Sequence, residues 1–203
     1  MKNKYVLNRD IVARLIKSKL VNYIYHNIAL ARYEASREDI EAILHDGRNK
    51  TEVEIAVQNF YAAWSDLLDT KGIPADYDYL IKLHKILMFG LNDSCKDQLS
   101  EEQIIELNTM INQPTKCNTE VALDVMMFIL DRRLFSDGDV RTAMMFANKI
   151  MLEGGNGVII INSYNRDTFR KKLKEYHNNH DSGLKNWLYQ NCIQGVKTDD
   201  FGY

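Results

Sequence analysis

The stretch Asp131-Arg132-Arg133-Leu134-Phe135-Ser136-Asp137-Gly138-Asp139-Val140-Arg141-Thr142-Ala143-Met144 joins two apolar runs, residues 121–130 and 143–152. Both runs have helical length and lack the alternation of a half-buried strand. Between them, Asp137-Gly138 forms a turn and N-cap signal, and Phe135 reads as a core anchor under the turn. A helix that starts here presents backbone N–H groups and the positive end of its dipole to any anion. Gly138, Asp139 and Arg141 are therefore candidate phosphate contacts; read as structure alone, Arg141 is a surface residue.

Outward from this link the chain reads as helix almost throughout. Residues 118–132 are apolar nearly all round, as expected of a helix buried at the centre of a bundle. Ile11, Leu15, Leu20, Ile24 and Ile28 predict one long helix from residue 10. Ser36 caps a second helix, with Ile40, Ile43 and Leu44 on one face, that stops near Asp46-Gly47. Helices follow over 52–68 and 76–90, then a loop over 91–99. Ser100-Glu101-Glu102-Gln103 is a capping box that opens a helix to about residue 111, and Pro114 breaks the chain. Gly154, Gly155 and Gly157 end the helix that begins near Asp139. Val158-Ile159-Ile160-Ile161 is β-like, and helices over 166–176 and 183–193 complete the chain. The expected class is all-α, a helical bundle with at most a short β-hairpin flap or strand.

The 203 residues are 45% hydrophobic and 27% charged, and two prolines and ten glycines mark no linker, so one domain over 1–203 is expected. Cys95, Cys117 and Cys192 are odd in number and far apart, which fits free thiols in the cytoplasm better than a disulfide framework. No apolar run has the length of a membrane span, and a formal charge of −2 gives no general pull toward nucleic acid.

Residues 133–144 resemble the Fic signature H-x-F-x-[D/E]-G-N-G-R-x-x-R. Phe135, Asp137, Gly138 and Arg141 stand at its phenylalanine, acidic metal ligand, first glycine and first arginine. Arg133 replaces the histidine, Asp139 the asparagine, Val140 the second glycine and Met144 the final arginine. The flanks are similar in order and spacing: Leu80-Ile81-Lys82-Leu83-His84-Lys85-Ile86-Leu87 upstream, Met151-Leu152-Glu153-Gly154-Gly155-Asn156-Gly157 downstream, then Tyr164-Asn165-Arg166-Asp167.

The resemblance implies a Fic-like bundle and, in intact members, transfer of AMP from ATP with Mg²⁺ to a protein hydroxyl. The histidine takes the hydroxyl proton, a task that needs a free lone pair. Arginine stays protonated and accepts nothing, so Arg133 is expected to be inactive as a base. Val140 crowds a turn meant for close phosphate approach. Asp139 sets a carboxylate against phosphate, a repulsion of roughly 4 kcal/mol at 4 Å and an effective dielectric near 20. Pairing of Arg133 with Asp139 relieves that charge; the alternative is Mg²⁺ held by Asp137 and Asp139.

Residues 10–45 resemble the N-terminal segment of Fic proteins that carries an inhibitory helix, [S/T]-x-x-x-E-[G/N]. Its match is Asn22-Tyr23-Ile24-Tyr25-His26-Asn27, with Asn22 and His26 at i and i+4 on one face. His26 stands for the glutamate and Met144 for its arginine partner, so both ends of that charge pair are replaced together. The functional expectation is a pseudoenzyme or regulatory binding module with weak affinity for a nucleotide, ATP included, and a protein partner or target. The alternative is an active nucleotidyltransferase with a rearranged mechanism, in which His26 or His84 enters the site. Oligomeric state stays open.

Overall fold

The computed structural model describes residues 1–91, 99–180 and 183–196. Ten helices are present among these: α1 Arg9–Ser18, α2 Leu20–Leu30, α3 Arg37–Asp46, α4 Glu52–Asp69, α5 Tyr77–Met88, α6 Glu101–Ile111, α7 Asn118–Arg132, α8 Asp139–Glu153, α9 Arg166–Asn179 and α10 Gly183–Asn191. Most of the loop expected over 91–99, with Cys95, lies outside the described residues.

Local chemistry sets many of the boundaries. Asn8, Ser36, Thr51, Asp76 and Ser100 each accept a backbone N–H as N-caps, and Ser36, Thr51 and Ser100 complete capping boxes with Asp39, Glu54 and Gln103. The long helix expected from residue 10 is broken at Lys19. There the Ser18 hydroxyl donates to the Leu15 carbonyl at 2.9 Å, and the Lys19 N–H shortens its reach to Ile16 at 3.2 Å. A serine that competes for a backbone carbonyl loosens the ladder and bends the chain.

Helix α7 lies at the centre, as its composition predicts: Ala122, Leu123, Val125, Met126 and Ile129 are fully buried. It packs along α8, whose Ala143 to Leu152 positions are buried as well. One continuous apolar core reaches from Val12 to Ile193.

The β-like run is a strand only over β1, Val158–Ile159, which pairs antiparallel with β2, Ile193–Gln194. Helix α10 consequently stops at Asn191, short of the expected 193, because the residues that would extend it complete this pairing. Gly157 makes the approach to β1 with a φ of +88°, against the Gln194 carbonyl. No helix among the described residues is long and apolar enough to cross a membrane.

A buried polar knot ties the far end of α8 to the rest. Lys149, fully buried, donates to the Thr70 carbonyl and to Glu153 at 3.0 Å, and lies 5.0 Å from the Tyr79 ring centroid. Glu153 also accepts from Arg9 at 3.0 Å, and these bonds outweigh burial and keep its carboxyl below the usual range. The effect is to join α1, α4, α5 and α8 at a place remote from the 133–144 loop.

Candidate functional site

The link between α7 and α8 is built by two left-handed residues. Arg133 ends α7 with φ +46°, and Gly138 caps α8 with φ +80°. Only glycine adopts the second without strain, and a Cβ there would press on Met88 and His84 of α5. Phe135, 4% exposed, is the anchor its residue type suggests. The His84 ring stacks on it at 3.7 Å between centroids and 10° between planes, while its Nδ1 meets the Thr142 hydroxyl at 2.9 Å. His84 thus lies under the loop as part of its foundation.

Asp139 opens α8 and turns its carboxylate back along the loop, where it accepts the Phe135 N–H at 3.0 Å. Burial pushes this carboxyl up to about 6, against the lowering effect of the Phe135 N–H and the Arg133 charge. Among the described residues no ion pair joins Arg133 to Asp139, so the loop closes on a backbone hydrogen bond and Arg133 remains exposed. Asp137, exposed, accepts the Gly138 N–H at 2.6 Å. Among the described residues no three His, Cys, Asp or Glu side chains converge as a metal cluster.

In front of the loop is a cleft of about 390 Å³. One wall is the start of α8 with Gly138, Asp139, Val140 and Arg141, and the other is the end of α2 with Leu30, Ala31 and Arg32. Phe60 and Met144 form an apolar floor, each 1% exposed. Arg141 places its guanidinium 6.0 Å from the Tyr33 ring centroid, and its Nη1 is buried with no hydrogen-bond partner. A buried, unsatisfied cationic donor costs free energy that an anion in the cleft would recover.

The segment 22–27 lies on α2 beside this cleft, and the helix turns its residues in two directions. His26 points away from the loop: Nδ1 accepts the Ser163 N–H at 3.1 Å and Nε2 meets the Asn22 amide at 3.3 Å. Burial, with the Arg37 charge second, pushes the ring down to about 4, so it is neutral at pH 7. The next residue, Asn27, is the one that reaches the cleft. Its amide satisfies itself on the Tyr23 carbonyl and Trp64 Nε1, at 3.0 and 3.2 Å.

The structure therefore brings Gly138, Asp139, Arg141 and Asp137 together around one cleft, with Phe135 beneath, and leaves Arg133, Asn22 and His26 outside its lining. Sequence reading passed over Arg32, and it named Asn27 only as the last position of the 22–27 match. Nothing local marks Arg32, a charged residue just past a helix end, and only the packing of α2 against α8 carries it to the loop.

No family model matches the sequence, and no curated protein matches it. The fold itself is recognisable. Over 92% of the chain it superposes on Fic-1 from C. elegans with a TM-score of 0.74 at 18% identity. A Fic domain containing signaling protein from Bacteroides thetaiotaomicron gives 0.64 over 91% of the chain at 14% identity, covering 81% of that protein. A Fic family protein from Desulfovibrio desulfuricans gives 0.64 over 89% at 16%, covering 64% of that protein. This chain has the Fic fold. It spans 62–63% of the length of the C. elegans Fic-1 chains.

Proposed function

We propose that this chain is a Fic-fold binding module whose signature loop does not carry out nucleotide transfer. The observation that supports the reading is the side chain at the base position. Arg133 is an exposed, permanently charged residue that has no lone pair to accept a hydroxyl proton, and His84, the imidazole under the loop, is stacked flat on Phe135. Mg²⁺ and ATP also fit poorly. Met144 is apolar and buried where the signature has the arginine for the far end of the triphosphate, and Val140 puts a branched side chain on the cleft lining. What the residues favour is recognition of a small anion, with a protein partner as the wider role.

One observation favours the alternative, an active transferase. The Asp139 carboxyl, pushed up to about 6 at the rim of the cleft, titrates in the range a general base needs. Incubation of the purified protein, alone and with a cell extract, with Mg²⁺ and labelled ATP, GTP or CDP-linked donors separates the two. The binding module leaves no covalent label on any protein. Robust label on the chain or on an added protein, lost in Asp137→Ala, overturns the reading.

A further inference from the structure

A second groove, of about 620 Å³, shares no lining residue with the cleft in front of the 133–144 loop. Its lining includes Tyr25 and Ala29 from α2, Tyr33 and Glu34 from the connection to α3, and Tyr164 and Arg166 from the start of α9 and the turn before it. Helix α2 closes in a turn in which Arg32 has φ +71° and the Tyr33 N–H returns to the Ile28 carbonyl at 3.1 Å, so Tyr33 and Glu34 leave the helix at the groove. The Ser163 N–H, bonded to His26 Nδ1 at 3.1 Å, ties the two sides together. Tyr164 is 78% exposed; its hydroxyl accepts the Asn162 amide at 2.8 Å and keeps its own hydrogen to donate. The Tyr25 and Tyr33 hydroxyls bond to nothing among the described residues. Glu34 is exposed and forms no ion pair among the described residues, whereas Asp39 is engaged by the Ser36 N–H and hydroxyl at 2.9 and 2.7 Å.

We propose that this groove binds a proline-rich segment of a partner protein in the polyproline II conformation, with an arginine of that segment set on Glu34. The three tyrosines offer flat apolar faces for pyrrolidine rings and hydroxyl hydrogens for carbonyl oxygens. Arg166 adds further donors and no acceptor. A polyproline II chain matches that balance, because its carbonyls are all free and its prolines bring no N–H to be satisfied. Such a chain is also extended before it binds, so little conformational entropy is lost on docking. Glu34 is the acceptor without a partner, and it sets the sign of the flanking charge. Other occupants match less of the groove. A nucleic-acid strand meets the Glu34 and Asp39 carboxylates. An ammonium caged by the tyrosines competes with arginines already placed at two of the rings, Arg37 at 5.0 Å from Tyr25 and Arg141 at 6.0 Å from Tyr33. An amphipathic helix needs a continuous apolar strip, and here Ser36 and Ser163 interrupt the lining. The partner site is independent of whether the 133–144 loop transfers a nucleotide.

Fluorescence anisotropy of the whole protein with a panel of labelled peptides of about ten residues tests this, each peptide with a Pro-x-x-Pro core and an arginine at one end or the other. At least one member binds about tenfold or more tighter than its counterpart with alanine for each proline, and excess AMP does not displace it. Tyr164→Ala weakens that peptide about fivefold or more while the melting temperature stays within about 2 °C of wild type, because the ring is exposed. Glu34→Gln weakens it about threefold and leaves unchanged the same peptide with glutamine for arginine, a selectivity that a merely structural role would not produce. Tyr61→Ala, exposed on α4, changes neither affinity. The proposal is overturned if no member outbinds its alanine counterpart, if Tyr164→Ala binds like wild type, or if AMP displaces the peptide. It is equally overturned if an oligouridylate or a trimethyl-lysine peptide without proline binds more tightly than every member of the panel.

Discussion

Arg133 and Asp139 shape the link between α7 and α8, one by its left-handed backbone and the other by a side-chain bond. Arg133 ends α7 in a left-handed turn and Gly138 caps α8 in another, and the two together make the backbone reversal. Asp139 contributes to that reversal through the Phe135 N–H, a contact for which an amide oxygen would serve equally. On the proposed reading, Arg133 offers no lone pair, Val140 adds a branched side chain and Met144 brings no cation. Groups that act as a unit are not restored one at a time. Arg133→His should therefore leave the protein without transfer from labelled ATP, read as protein-bound label above background. A single substitution that produced strong labelling would mean that Val140 and Met144 do not obstruct the triphosphate.

Among the elements, the helices are settled by their own caps, and the short sheet is settled by a close approach. Thr51 and Glu54 satisfy the start of α4 within four residues of chain, whereas β1 and β2 meet only because Gly157 lets the chain pass the Gln194 carbonyl. A Cβ at 157 combines the strain of φ +88° with a collision against that carbonyl and the Tyr5 ring. Gly72 has a similar φ of +77° but open space around it. Gly157→Ala should cost about 2–4 kcal/mol in chemical denaturation and Gly72→Ala only about 1 kcal/mol. Equal losses in the two variants would show that backbone strain, and not the contact, sets the cost.

For the whole molecule, two titratable groups, buried His26 and half-buried Asp139, oppose one another across the acid range. Between 3.8 and about 6 the folded chain keeps a proton on Asp139 that the unfolded chain releases, so stability falls as pH rises through that window and stays lower above it. Between about 4 and 6.5 the unfolded chain protonates His26 while the folded ring refuses the proton, so this group makes stability rise with pH. Each effect is about 1–2 kcal/mol after allowance for partial exposure, and they largely cancel. Asp139→Asn should leave the His26 slope alone, making the protein melt about 2–6 °C higher at pH 7 than at pH 4, relative to the wild-type difference. His26→Gln should shift that difference the other way. Melting curves in which both variants track wild type at the two pH values would remove these groups from the pH balance.

Most helix positions, their caps and the central place of α7 were determined by local sequence, because a 3.6-residue apolar period and a capping side chain act within one or two turns; the break at Lys19 and the early end of α10 were not. Phe135, Gly138 and Arg141 were legible for the same reason: each belongs to a contiguous loop whose residue types state their backbone needs. The direction of a side chain on a helix is a different matter. A rotation of one residue separates His26, turned to Ser163, from Asn27, turned to the cleft, and sequence offers no measure of that angle. Arg32 reaches the cleft, and Lys149 is enclosed by Thr70, Tyr79 and Glu153, only through contacts between helices remote in the chain. Such placements depend on which surfaces meet when the common core closes, and a cation enters the interior only where distant acceptors converge on it. That convergence is a property of the packed molecule, and no single stretch of the chain encodes it.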